Sequence, residues 1–159
     1  MASILAETPP LGQGFHWRHQ LAVGAFGPDG SIELVEVQTP HIGGMVQFWR
    51  YDSQQGALVP TARTTGYTSH SIGSSNLDQT VAGDFNGDGQ IELVITTQDR
   101  NAIVGLQRYE DTVQELWRLP LSAAPATNFV GLMLPDGRLG LAIGTADRLI
   151  NVWLPGQQP

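Results

Sequence analysis

The 159-residue sequence predicts an all-β fold made of repeated four-stranded antiparallel units. Two observations lead to this prediction. A glycine-led block occurs three times, and each copy is followed by short segments in which apolar and polar residues alternate. β-Branched and aromatic residues are concentrated in those segments, with Gly, Asn and Asp at the turns, which is typical of strands. No segment of useful length has helical periodicity.

The glycine-led block is clearest in its middle copy, residues 81–94, which reads Val-Ala-Gly-Asp-Phe-Asn-Gly-Asp-Gly-Gln-Ile-Glu-Leu-Val. A first copy at residues 23–35 aligns with it without a gap, and a weaker third copy covers residues 130–142. The leading glycines recur at intervals of about 50 to 60 residues, a period typical of repeat architectures. They are Gly24, Gly83 and Gly131.

A second block repeats in the same order, at residues 46–51, 104–109 and 150–154. Four antiparallel strands recurring every 40 to 60 residues or so are typical of a β-propeller blade. We therefore predict one domain, residues 1–159, with units at about 20–64, 79–120 and 126–155. Apolar positions of the second block are expected to form the core between blades: Val46 and Phe48, Val104 and Leu106, Ile150 and Val152.

Three blades are too few for a closed ring, because propellers have about four to eight. The third unit lacks a fourth strand on its C-terminal side, whereas residues 1–10 contain the short apolar segment 2–6. We expect this segment to complete the last blade of a partner chain, so that a dimer closes a six-bladed propeller. The alternative is that the chain was cut from a longer propeller.

The turn inside the middle copy has the spacing of a calcium loop. Oxygen-bearing side chains stand at Asp84, Asn86, Asp88 and Glu92, with glycines between them that allow a tight curl,. An EF-hand would need a glutamate twelfth in the loop, where this chain has Ile95,. The other interpretation is an Asx-rich hairpin turn that needs no metal.

The run at residues 81–94 resembles the FG-GAP repeat, also called the VCBS repeat, of integrin α-subunit propellers and many bacterial surface proteins. This resemblance implies that Asp84, Asn86, Asp88 and Glu92 bind Ca²⁺ through their side chains, and Gln90 through its main-chain oxygen. The other copies depart from the pattern, since the first retains two carboxylates and the third has an arginine at a ligand position. We therefore expect one Ca²⁺ per chain.

Composition excludes several function classes. A net charge of −7 argues against nucleic-acid binding, which needs a basic surface,. No apolar run approaches the roughly 20 residues of a membrane span. The absence of cysteine removes thiolate chemistry,. No nucleophile elbow, P-loop or zinc-binding His pair occurs, so we expect no enzyme.

These observations favour a calcium-binding structural or protein-interaction module that forms a homodimer. The alternative is a carbohydrate-binding propeller, in which Trp49 and Trp153 are sugar platforms if they are exposed to solvent. A third interpretation is an accessory domain of a larger extracellular enzyme. The first ten residues show no signal peptide. The family resemblance favours an extracellular or cell-envelope location, and a cytoplasmic one stays open.

Overall fold

Three antiparallel sheets of four, five and three strands follow one another along the chain. The computed structural model describes residues 3–12, 14 and 16–156, and none of these lies in a helix. The prediction of an all-β fold is confirmed. Each sheet is formed by strands that are consecutive in sequence, because tight turns rich in Gly, Asn and Asp connect neighbouring strands,.

The first sheet has its strands in sequence order: β1 (Arg18–Gly24), β2 (Glu33–Gln38), β3 (Met45–Asp52) and β4 (Ala57–Thr65). The pairing register shifts between Gln20 and Ala22 in β1, and between Phe48 and Trp49 in β3. Such bulges increase the local twist of a sheet.

The second sheet contains β5 (Tyr67–Thr68), β6 (Thr80–Gly83), β7 (Glu92–Thr97), β8 (Ala102–Tyr109) and β9 (Thr112–Pro120). Both β5 and β6 pair with the same edge of β7, where they lie one after the other. The two-residue strand β5 was not predicted. It falls in the connection between the first two units and is too short to show an alternating pattern.

The third sheet contains β10 (Val130–Met133), β11 (Leu139–Gly144) and β12 (Ile150–Trp153). Within the described residues, β12 has no strand on its outer side. The N-terminal segment, predicted to serve as a strand, forms none at residues 3–10 of the single chain, and residues 1–2 lie outside the described part.

Consecutive sheets contact each other at their inner strands (β1, β6 and β10), and the first two sheets also contact each other at their outer strands (β4 and β9). A first apolar cluster joins the first and second sheets, and a second cluster joins the second and third. The core therefore lies between stacked sheets.

Four of the six predicted core positions are buried: Val46, Phe48, Val104 and Leu106. The prediction is wrong for the third unit, because Ile150 and Val152 are 78% and 53% exposed. They belong to the last sheet of the array, and no further sheet of the described chain covers that side.

Candidate metal centre

The turn between β6 and β7 contains the predicted ligands, and we call residues 84–92 the metal loop. Gly87 and Gly89 both adopt φ of +83°, a conformation that glycine enters without steric cost,. The loop curls around Asp84, whose carboxylate accepts hydrogen bonds from the amides of Gly87 at 2.6 Å and Gly89 at 2.9 Å. The sequence spacing correctly predicts this curled backbone.

Asp88 is held by side chains and by the main chain. Its Oδ2 accepts hydrogen bonds from Gln107 Nε2 at 2.9 Å and Asn86 Nδ2 at 3.1 Å, and its Oδ1 accepts one from the Gln90 amide at 2.8 Å. The bond from Gln107, followed by those from Gln90 and Asn86, lowers the pKa of Asp88. Asp88 is thus a preoriented, ionised carboxylate at the surface.

Glu92 lies beneath the loop and is fully buried. Its Oε2 accepts a hydrogen bond from the Phe85 amide at 2.7 Å, whereas Oε1 has no hydrogen-bond partner. Burial, together with the nearby carboxylates of Asp88 and Asp84, raises the pKa of Glu92 to about 7. A buried carboxylate oxygen without a partner is costly, because it has lost water and gained nothing in return.

The carboxylates of Asp84, Asp88 and Glu92 converge so that one oxygen from each lies within 4.8 Å of the others. Among the described residues, this is the one group of three or more acidic, His or Cys side chains that close together. The carboxylates of Asp84 and Asp88 accept hydrogen bonds inside the loop, as expected for a hairpin turn without a metal. Glu92 Oε1 has no hydrogen-bond partner, which such a turn does not explain.

In the corresponding loop of the first repeat, residues 25–33, arginines from two other strands contact the acidic residues. Glu33 is fully buried and lies 2.9 Å from Arg108 Nε and 3.1 Å from Arg50 Nη2. Arg50 also lies 3.4 Å from Asp29, whose carboxylate accepts a hydrogen bond from Ser31. Two guanidinium groups therefore neutralise the carboxylates of this loop.

The loop of the third repeat, residues 132–140, contains a single carboxylate. Asp136 pairs with Arg138 at 2.7 Å on the surface, and this pair lowers the pKa of Asp136. No convergence of acidic groups occurs there. The sequence indicated Arg138 at a ligand position, and its side chain pairs with the one carboxylate present.

Sequence reasoning missed three residues around these loops: Gln107, Arg50 and Arg108. Gln107 supports Asp88, and the two arginines neutralise Glu33. All three lie in the second repeated block, at residues 46–51 and 104–109. Both arginines interrupt apolar segments, which was a usable signal because a charged residue inside such a segment needs a partner. The strand registers align Arg50 with Gln107, and each side chain contacts the aspartate of its own loop.

The two tryptophans of the carbohydrate alternative differ in environment. Trp49 is 6% exposed, and its Nε1 donates a hydrogen bond to Glu36 Oε1 at 2.9 Å. Trp153 is half-buried and packs against the second apolar cluster. Sugar binding requires an exposed ring face, which Trp49 does not offer; its ring packs in the core.

Three histidines approach one another beside β5. The hydroxyl of Ser69 lies 2.9 Å from His19 Nδ1 and 2.8 Å from His70 Nδ1, and the ring of His41 packs edge-on against His70. Ser69 is fully buried, so its hydroxyl is closed to solvent. The histidines thus form a hydrogen-bonded support for the turn after β5.

No family model and no curated protein sequence matches this chain. The resemblance to the FG-GAP repeat therefore depends on the residues at 81–94 alone and stays a proposal. Among the described residues, no helix is long and apolar enough to cross a membrane.

Proposed function

We propose that this chain is a non-enzymatic Ca²⁺-binding β-propeller module, a rigid platform for structure or protein interaction. The observation that carries the proposal is Glu92 Oε1, an unpartnered and fully buried carboxylate oxygen beside two further carboxylates. A bound cation would supply the missing partner. It would also offset the repulsion among the three carboxylates of Asp84, Asp88 and Glu92.

The chemistry of the loop favours calcium among the common divalent ions. All candidate ligands are oxygens: the side chains of Asp84, Asn86, Asp88 and Glu92, and the main-chain oxygen of Gln90. Hard cations prefer oxygen, whereas zinc and copper favour His and Cys. Ca²⁺ accepts flexible coordination by six to eight oxygens or so, which suits an exposed loop that water can enter. Sites of this type are filled where calcium is plentiful, consistent with an extracellular or cell-envelope location.

The propeller is proposed from the way the sheets stack. Successive sheets repeat the same contacts through their inner strands, and their outer strands meet in the first and second sheets. Three such sheets form part of a ring, and we propose that two copies of the chain close it with six blades. The protein would then act as a calcium-stabilised homodimer.

Titration calorimetry on the metal-free protein tests the metal site. We expect one Ca²⁺ per chain and a loss of affinity of at least about tenfold in Asp88→Ala, equivalent to about 1.4 kcal/mol. Asp29→Ala and Asp136→Ala are matched controls in the other loops and should bind like the original protein. The proposal is contradicted if the titration with Ca²⁺ gives no heat and no displacement signal, or if it shows two or three sites of equal affinity.

A further inference from the structure

Three histidines from three segments of the chain meet where the first sheet adjoins the second. His19 lies in β1, His41 in the turn between β2 and β3, and His70 just after β5. The ring centroids of His41 and His70 are 4.6 Å apart, and those of His19 and His70 are 5.3 Å apart. All three side chains are half-buried. One small space between the sheets therefore contains three groups that titrate near neutral pH.

The hydroxyl of Ser69 links two of these rings. Its oxygen lies 2.9 Å from His19 Nδ1 and 2.8 Å from His70 Nδ1, and Ser69 is fully buried. A hydroxyl has one proton, so it donates to one of the two nitrogens and accepts a hydrogen bond from the other. The arrangement therefore requires one imidazole that has a proton on Nδ1 and one that does not.

This hydrogen-bonded pair can hold one positive charge but not two. The histidine that already donates from Nδ1 can take up a proton on Nε2 and keep its bond to Ser69. When the other histidine is protonated as well, both Nδ1 atoms donate to the Ser69 oxygen, and the hydroxyl proton loses its acceptor. A buried hydroxyl without an acceptor is costly, and two positive rings beside it repel each other. The second protonation therefore opposes the contact.

The groups around the histidines favour their neutral forms. Burial lowers the pKa of His19, and the charge of Asp78, in the segment before β6, opposes only part of this shift. Burial, followed by the neighbouring His41 and His19, lowers the pKa of His70. The uncharged ring of Trp17 packs against His41. Within the described part of the chain, no carboxylate forms an ion pair with any of the three histidines.

The next junction of the array has a glutamine at the corresponding position. Once the extra residue of the β1 bulge is set aside, His19 and Gln79 lie equally far before the leading glycines of their repeats. Gln79 Nε2 donates a hydrogen bond to the Pro125 oxygen at 3.2 Å, in the connection between the second and third sheets. A side-chain amide does not titrate. Acid should therefore affect the first junction and leave the second unchanged.

We propose that His19, His41 and His70 form a pH-sensitive latch between β1 and the connection from β4 to β6, residues 66–79. At neutral pH the latch is closed, and protonation of a second histidine opens it. None of the three histidines belongs to the apolar cluster between the first two sheets, so the opening is local and the sheets stay packed,. The latch contains no residue of the metal loop. It adds a response to acid to the proposed platform and does not depend on Ca²⁺ binding.

The latch should make this junction less stable in acid. In the unfolded chain the histidines take up protons near the ordinary pKa of 6.5, whereas His19 and His70 of the folded chain do so at lower pH. Below a pH of 6.5 the unfolded state therefore binds more protons, and the stability of the junction falls as pH decreases,. NMR titration of the imidazole side chains measures these pKa values, with the exposed His16 as internal reference. If His19 and His70 titrate at the same pH as His16, the proposal is overturned.

Amide hydrogen exchange locates the opening. The Gln79 amide donates a hydrogen bond to the Ser69 carbonyl oxygen at 3.2 Å, so its exchange reports on the connection. The protection factor, which corrects for the intrinsic effect of pH on exchange, should fall at least about tenfold between about pH 7 and about pH 5. Amides that pair β3 with β4 should keep their protection, because that part of the first sheet contains none of the three histidines.

The matched variant is His19→Gln, which copies the residue of the second junction. It should make the protection of the Gln79 amide independent of pH over this range, whereas His16→Gln should leave the decrease unchanged. All proteins are compared in the Glu92→Gln background, because Glu92 titrates in the same pH range with the opposite effect on stability,. Protection of Gln79 that does not change with pH in the presence of His19, or that falls equally in His19→Gln, overturns the proposal.

Discussion

Glu33 and Glu92 occupy the same position in two successive repeats, each paired in register with the leading glycine of its repeat, Gly24 or Gly83. Both are fully buried, yet their surroundings differ in charge. Two arginines contact Glu33, whereas no positively charged side chain among the described residues pairs with Glu92. The same backbone thus holds one neutralised carboxylate and one that lacks a counter-charge.

The difference comes from residues contributed by the next repeat. Arg108 of the second sheet reaches back to Glu33 of the first. The strand registers pair Leu93 with Leu106 and Leu141 with Trp153, so that Pro155 of the third sheet stands where Arg108 stands in the second. A carboxylate buried at this position needs a cation. In the second repeat no arginine of the neighbouring sheet supplies one, and the acidic group there could hold a metal ion instead.

The largest effect is expected at the neutralised site. Arg108→Met removes one partner of a buried ion pair, which costs about 3–5 kcal/mol, and the remaining Arg50 places the loss near the lower figure. Urea denaturation with and without Ca²⁺ should show the same loss, since two arginines already neutralise this loop and we propose no metal there.

The control is Arg118→Met, which breaks an Arg–Glu pair on the surface of β9. An exposed pair contributes at most about 1 kcal/mol. Equal losses in the two variants would mean that Arg108 does not compensate a buried charge.

The second prediction uses the raised pKa of Glu92. In metal-free protein the folded state keeps this proton up to a pH of about 7, whereas the unfolded chain releases it near the ordinary value of 4.5. Between these pH values the folded state binds more protons than the unfolded chain. The contribution of Glu92 to the free energy of unfolding therefore falls as pH rises. The decrease should reach about 3 kcal/mol across the interval.

Denaturation of metal-free protein at a series of pH values measures this decrease. Glu92→Gln keeps the size of the side chain and the hydrogen bond from the Phe85 amide, but it cannot ionise. The stability of this variant should therefore not show the decrease between pH 4.5 and 7 that Glu92 causes. A parallel pH profile in the two proteins would show that Glu92 does not titrate in this range.

The third prediction concerns the thermal effect of calcium. A ligand that binds only the folded state adds about 2.7 kcal/mol when its free concentration is a hundred times Kd. Scanning calorimetry should therefore show a melting temperature that rises with Ca²⁺, and Glu92→Gln should lose most of this rise. Glu110→Gln, on an exposed turn, should keep it. An unchanged rise in Glu92→Gln would remove Glu92 from the ligand set.

Local and distant features differ in how far the sequence predicts them. The curled metal loop follows from spacing within nine or so residues, where alternating oxygens and glycines act on their own backbone. The arginine that neutralises Glu33 lies 75 residues away on another sheet, so no local pattern reveals the pair. The burial of Trp49 and the exposure of Ile150 likewise depend on which sheets are adjacent, a property of stacking rather than of strand pattern.

The smallest expected effect comes from transferring the counter-charge to the second loop. Pro155 lines a cavity beside Phe85 and Asn86 of the metal loop and a second cavity beside Asp84. Pro155→Arg places a guanidinium where the strand register puts Arg108, beside the metal loop that contains the uncompensated Glu92. We expect the free energy of unfolding of the metal-free protein to rise by about 1 kcal/mol, the net contribution of a hydrogen bond. Ordering the arginine side chain offsets the rest of the energy gained.

Calcium affinity should fall in the same variant, because the arginine and the metal ion compete for one carboxylate. Calorimetry and metal-free denaturation together test this exchange, with Pro155→Gln as a control that adds a long polar side chain without charge. If Pro155→Arg binds Ca²⁺ as tightly as the original protein, arginine and metal do not substitute for each other. The difference between the two loops would then have a cause other than the missing arginine.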